Sequence, residues 1–290
     1  MTETIVRGFL GVIPYLFVML GLLVVFRLVH DRLTAFDDRY ELKRGNAAAG
    51  LNRGAMYFGA TIAMCGPLLG GNRAYGSDLL QFALEGVLAL AIFTLASFVL
   101  DKVMLPKINN QAEIGRGNMA IAVVEAAAYI GLGFVMFCSL AGGGAPSFWR
   151  DQLSGVLFGV LGLATLVAIY MTFGVGYRIF KRCSVNDELA RGNVAMAIEA
   201  GAVLLAMSLV LGFSIIGDFT GWANDIASYV IAAAAGVSAV AIAQLFTWLL
   251  FARGMTLRAD GTHAANVASA AIRGGILLGL GLVAGLVTFV

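Results

Sequence analysis

Apolar stretches recur along the chain at about 9–29, 47–69, 79–100, 118–141, 153–177, 194–216, 226–251 and 266–289. Each is long enough to cross a bilayer, which takes about 20 residues of helix. The pattern therefore predicts an all-α, polytopic membrane bundle of about eight transmembrane helices. The connections hold what the runs lack, namely charges and turn formers such as Gly70-Gly71-Asn72 and Gly142-Gly143-Gly144-Ala145-Pro146. They leave no room for a separate soluble domain. The first run has no small-residue cleavage site before Arg27 and His30, which predicts a retained helix and not a signal peptide.

Basic residues fall on alternate connections. Arg32, Arg39, Lys43 and Arg44 follow the first run, Lys102, Lys107 and Arg116 the third, Lys181, Arg182 and Arg191 the fifth, and Arg253 and Arg258 the seventh. The opposite side has Arg7, Arg73 and Arg150. By the positive-inside rule the first group faces the cytoplasm, which puts both termini outside. Trp149, Trp222, Phe148 and Tyr75 fit an aromatic belt on the outer side.

The basic connections also share a pattern. Glu41-Leu42-Lys43-Arg44-Gly45-Asn46 matches Glu113-Ile114-Gly115-Arg116-Gly117-Asn118 and Glu188-Leu189-Ala190-Arg191-Gly192-Asn193. A degraded fourth copy aligns on Asn266, with Ala264-Ala265 before it and Gly261 where Glu is expected. The four Asn are 72, 75 and 73 residues apart, a period of one helical hairpin. All copies then share one orientation, predicting a pseudo-fourfold or nested twofold bundle. A 147-residue offset carries Glu41 onto Glu188, Asn46 onto Asn193 and Asp78 onto Asp225. Two four-helix units are expected, 1–146 and 147–290.

In every copy the second, fourth, eighth, ninth, thirteenth and fifteenth residues after the Asn are small. The first copy has Ala48, Gly50, Gly54, Ala55, Gly59 and Thr61, and the last has Ala268, Ala270, Gly274, Gly275, Gly279 and Gly281. At 100° per residue these form two stripes, one of offsets two, nine and thirteen, the other of four, eight and fifteen. Small residues let helix backbones approach in lipid, so the even runs are expected inside the bundle. The odd runs, with Phe17, Phe26, Phe93, Phe98 and Phe158, are expected to face lipid.

Each even run carries one ionisable residue six or seven positions after its Asn: Arg53, Glu125, Glu199 and Arg273. An unpaired charge at that depth costs roughly 2.5 to 3.5 kcal/mol or more. Two cations and two anions balance, so the expected arrangement pairs each Arg with one Glu and fixes helix docking. The functional alternative makes Asn46, Asn118, Asn193 and Asn266 a polar ring at the cytoplasmic mouth, with the charges a second layer lining a vestibule. In that case Glu125 or Glu199 carries protons. The Arg-Gly-Asn turn itself reads as Gly for a tight turn, Asn as N-cap, and Glu and Arg as interface charges. Glu85 reads as a snorkelling or first-turn carboxylate, and Asp78 and Asp225 as N-caps.

Composition narrows the function. Of 290 residues 60% are hydrophobic and 12% charged, against roughly 25% charged in soluble proteins. A net charge of +2 without a basic cluster argues against nucleic-acid binding. Cys65, Cys138, Cys183, His30 and His263 have no metal-ligand spacing, no cofactor motif is present, and buried thiols are expected over a disulfide. Without a Ser-His, Cys-His or metal constellation, an intramembrane enzyme ranks last.

The repeated hairpins of Glu, then Gly-Asn, then an Ala-rich helix, as in Glu41 to Ala49 and Glu113 to Ala122, resemble the bacterial inner-membrane proteins grouped as domain of unknown function 350. Those are typically four-helix proteins, so this chain resembles two units fused in tandem. The resemblance implies fold and location, a multi-pass protein of the bacterial inner membrane, and no established chemistry. The leading expectation is a small-ion or small-solute permeation protein, or its membrane subunit. The alternative is a scaffold recruiting an unidentified protein partner through the cytoplasmic loops. Beyond the lipid bilayer, small-residue faces also allow a homo-oligomer.

Overall fold

The computed structural model describes residues 2–33, 38–69, 75–106, 108–141, 148–216, 219–251 and 266–289, and every regular element among them is helical. The helices are α1 (Thr2–Leu33), α2 (Asp38–Lys43), α3 (Ala47–Cys65), α4 (Tyr75–Val99), α5 (Asn110–Gly115), α6 (Met119–Leu140), α7 (Phe148–Lys181), α8 (Val185–Ala190), α9 (Val194–Phe213), α10 (Trp222–Phe251) and α11 (Val267–Phe289). Among the described residues seven stretches are long and apolar enough to cross a membrane. They fall in every long helix except α3, whose 19 residues include Asn52 and Arg53.

The four small-residue helices do not close into a fourfold bundle. They form an open row in the order α3, α6, α9, α11, each packed closely on the next. Along it, α1, α4, α7 and α10 make a second layer: α4 touches α1, α3 and α7, α7 touches α6 and α9, and α10 touches α9 and α11. Each helix of the row has its two small stripes on opposite sides, so one engages the helix before and the other the helix after. Two opposed stripes build a line. A ring needs them turned toward a common centre.

Close approach shows where the small residues matter. A Cβ added to Gly59 would strike the Tyr129 carbonyl, and one at Gly133 would strike the Gly59 backbone. Side chains larger than hydrogen there would push α3 off α6 and forfeit the dispersion contacts that hold helices in lipid. The bulky residues of the second layer divide. Phe17 and Phe98 are exposed, whereas Phe26, Phe93 and Phe158 are buried, which corrects the expectation that all five face lipid. Phe93 stacks on Tyr129 over the glycine contact, filling the space the small helices leave.

Candidate functional site

The Glu-x-x-Arg-Gly-Asn turn ends a short helix and starts a long one. Gly45, Gly117 and Gly192 have φ of +74°, +88° and +80°, the left-handed region that glycine enters without penalty. Asn46, Asn118 and Asn193 return their backbone N–H to the Glu41, Glu113 and Glu188 carbonyls at 3.0, 2.9 and 3.0 Å, closing a Schellman turn. Their side-chain oxygens then cap α3, α6 and α9, accepting from Ala48, Ala120 and Met196 N–H at 3.1, 3.0 and 3.1 Å. Asn266 caps α11 through Ser269 N–H at 2.8 Å. The N-cap reading of the motif therefore holds in all four copies.

The Asn amides do a second job. Asn46 donates to Glu41 Oε2 at 2.7 Å and to the Ile114 carbonyl at 2.8 Å, one hairpin further on. Asn118 likewise donates to Glu113 Oε2 at 3.3 Å and to the Leu189 carbonyl at 3.0 Å. Arg44, Arg116 and Arg191 pair with the same Glu residues at 2.8, 2.5 and 3.3 Å. Asn46 and Asn118 thus stitch each hairpin to the next, and all four Asn cap helices that stand in the row and surround no common axis.

Deeper in the membrane, the sixth residue after the Asn on one helix meets the seventh on the next, once in each half of the chain. In the first half Asn52 donates to Glu125 Oε2 at 2.5 Å, and Asn110 donates to Glu125 Oε1 at 2.6 Å. Arg53 Nη1 lies 3.3 Å from His30 Nε2. Arginine has no acceptor, so that contact puts the imidazole hydrogen on Nδ1. All five side chains are buried, and they leave a void of only about 20 Å³.

In the second half Glu199 and Arg273 form a direct ion pair, 0% and 8% exposed at the side chain. The pair is one wall of a cavity of about 710 Å³ between α7, α9 and α10. Phe173, Val203, Met207 and Leu245 give it an apolar body, and Tyr177, Lys181 and Gln244 join the pair at the polar end. Glu199 Oε2 and Arg273 Nε are left without a well-formed hydrogen bond among the described residues.

The family model of the Domain of Unknown Function (DUF350) matches the chain twice, over residues 4–140 and 147–287. The chain belongs to this family. A UPF0719 transmembrane protein of Aquifex aeolicus (strain VF5) is 21% identical over 208 residues, covering 72% of this chain and 75% of that protein. No solved structure matches. Together with the seven apolar helices, these findings make the chain a multi-pass transmembrane protein of two tandem DUF350 units.

Within the two DUF350 units the expected charges converge differently from the two-pair scheme. Arg273 takes Glu199, whereas Glu125 is held by amides and Arg53 turns to His30. Asn52 carried a signal, as it sits 147 residues before Glu199 in the same register. Asn110 and His30 did not, because contacts between distant segments leave no local pattern. Glu85 is a further correction: it lies 1% exposed in the third turn of α4, accepting from Gln81 at 2.5 Å and from Gln152 of α7 at 2.8 Å. Two amides replace the water that snorkelling would have sought. Asp225 lies within the first turn of α10 instead of capping it and accepts from the Thr220 hydroxyl at 2.6 Å, and Asp78 falls inside α4, with its side chain outside the described residues. Among the described residues Cys65, Cys138 and Cys183 form no disulfide. Among the described residues no three His, Cys, Asp or Glu side chains converge as a metal site would need; His263, Arg253, Arg258 and Gly261 lie outside them.

Proposed function

We propose that the protein is a small-solute permeation protein, or the membrane subunit of one, and that its second DUF350 unit holds the solute. The observation that carries this reading is the cavity of about 710 Å³ with a buried ion pair at one end. Its size falls in the range of small-molecule sites, which combine an apolar lining with a few placed polar groups. Ionisable side chains at membrane depth that face a cavity are the usual mark of a substrate path. The chemistry fits a small amphiphile. Its polar end would hydrogen-bond to Glu199 and Arg273, and its body would lie among Phe173, Val203 and Met207. Above the cavity α7 and α10 meet through Tyr229, which donates to Thr165 at 2.8 Å, so parting these two helices widens the path without breaking the row.

The basic connections support placing the Asn ends at the cytoplasmic face of the inner membrane with both termini outside. This requires α3 to cross beside its three row neighbours. The reading is tested with proteoliposomes and three radiolabelled probes: benzoate, phenylalanine and tetraphenylphosphonium. At least one is expected to accumulate above protein-free vesicles, and Val203→Trp, which fills the cavity, is expected to abolish the gain. Equal uptake by wild type, Val203→Trp and empty vesicles would sink the proposal.

A further inference from the structure

The row is built from one interface used three times. Each helix presents its second, ninth and thirteenth residues after the Asn to the fourth, eighth and fifteenth of the next. Gly59 of α3 meets Gly133 of α6. A Cβ on Gly201 of α9 would lie 3.1 Å from the Ala127 Cβ of α6, and one on Gly131 would lie 3.0 Å from the Ser208 hydroxyl. Gly274 and Gly281 of α11 approach Ala202 and Ala206 of α9 in the same register. This contact is head-to-tail, so it leaves one unused half at each end of the chain.

The two unused halves complement each other. At one end α3 leaves Gly54 exposed and Gly50 and Thr61 half-buried. At the other, α11 leaves Ala268, Gly275 and Gly279 exposed. An added Cβ would meet nothing within 4 Å at Gly54, Gly275 or Gly279. The polar stitch is open in the same way. Ile114 and Leu189, whose carbonyls receive Asn46 and Asn118, are 4% and 0% exposed, while Leu42 in the equivalent place is 53% exposed. The second layer agrees: α4 and α7, flanked on both sides, are buried over 44% and 50% of their spans, but α1 over only 6%.

We infer that a second copy of this chain docks its α11 on α3, repeating across molecules the junction that joins α6 to α9 between the two units. Asn266 of one copy would reach the Leu42 and Lys43 carbonyls of the next, as Asn118 reaches Leu189 and Ala190. All copies keep one orientation in the membrane, because row helices run parallel. The occupant is a copy and not a lipid tail, since the exposed groups match the halves of an interface the chain already forms. This inference is independent of the solute site.

The test is disulfide trapping in native membranes, with Cys65, Cys138 and Cys183 replaced by Ala. Gly54 and Gly275 correspond to Gly201 and Ala127, whose Cβ positions touch, as a disulfide requires. Co-expressed single variants Gly54→Cys and Gly275→Cys are expected to give a mixed dimer on mild oxidation, and the double variant a ladder of higher multiples. An Ala127→Cys, Gly201→Cys chain verifies folding and oxidation by forming its internal bond. Gly54→Cys with Val175→Cys, an exposed α7 position, is expected to stay uncrosslinked. A mixture that stays monomeric while the internal bond forms would overturn the inference, and so would Gly54→Cys crosslinking only to itself.

Discussion

The two DUF350 units build the same slot and fill it with opposite chemistry. In the first, the α3 position is an amide, Asn52, and the α6 position a carboxylate, Glu125; in the second, the α9 position is a carboxylate, Glu199, and the α11 position a guanidinium, Arg273. The first slot is closed, its carboxylate solvated by two amides over a void of about 20 Å³. The second is open, its ion pair set against about 710 Å³. The difference teaches that helix packing here is set by the small stripes and tolerates a change of charge between them. A duplicated scaffold can therefore keep one half as a structural anchor while the other opens a cavity.

The largest expected effect breaks the second slot. Removing one partner of a buried pair leaves an uncompensated charge, at a cost of about 3 to 5 kcal/mol. Arg273→Gln should lose that much in equilibrium unfolding from mixed micelles, while Glu199→Gln with Arg273→Gln should recover most of it. Additive losses in the double variant would show that the two groups do not interact.

A transplant sharpens the comparison. Asn52→Glu alone sets a second carboxylate against Glu125 and should destabilise strongly; adding Glu125→Arg recreates the pair of the other unit in the same slot. The two changes should couple by about 2 kcal/mol in a double-mutant cycle. No coupling would mean the slots differ in backbone geometry, and not only in side chains.

A smaller loss is expected from Asn110→Ala, which deprives Glu125 Oε1 of its donor at 2.6 Å. An unsatisfied buried acceptor costs about 1 to 3 kcal/mol, and the charge puts this one in the upper half. Because Asn110 belongs to the first unit alone, the cavity-dependent uptake proposed for the second should survive the substitution.

These contrasts also show what the sequence could carry. The stripes of Ala48, Ala55 and Gly59 against Gly50, Gly54 and Thr61 were legible because helical periodicity fixes faces from spacing alone. They suggested a pseudo-fourfold or nested twofold bundle where the helices form a line, since handedness and curvature belong to tertiary packing. Charge balance suggested two ion pairs among Arg53, Glu125, Glu199 and Arg273. The first unit holds Glu125 with the amides of Asn52 and Asn110 instead, while Arg53, buried in the same cluster, meets His30. Glu85 misled for the same reason: its partner Gln152 lies 67 residues away on another helix, and nothing local announces it.

The gentlest test compares the two slots by volume. Val203 lines the open cavity, and the residue 147 positions earlier, Met56, is fully buried against α3's neighbours. Extra bulk in a packed core forces side chains off their rotamers, at about 1 to 3 kcal/mol, so Met56→Phe should cost about 1 kcal/mol because methionine is nearly as large as phenylalanine. Val203→Phe adds more volume yet projects into empty space, and its unfolding free energy should stay within about 0.5 kcal/mol of wild type. If Val203→Phe proved the costlier change, the second slot would be as tightly packed as the first, and the division of labour between the units would lose its physical basis.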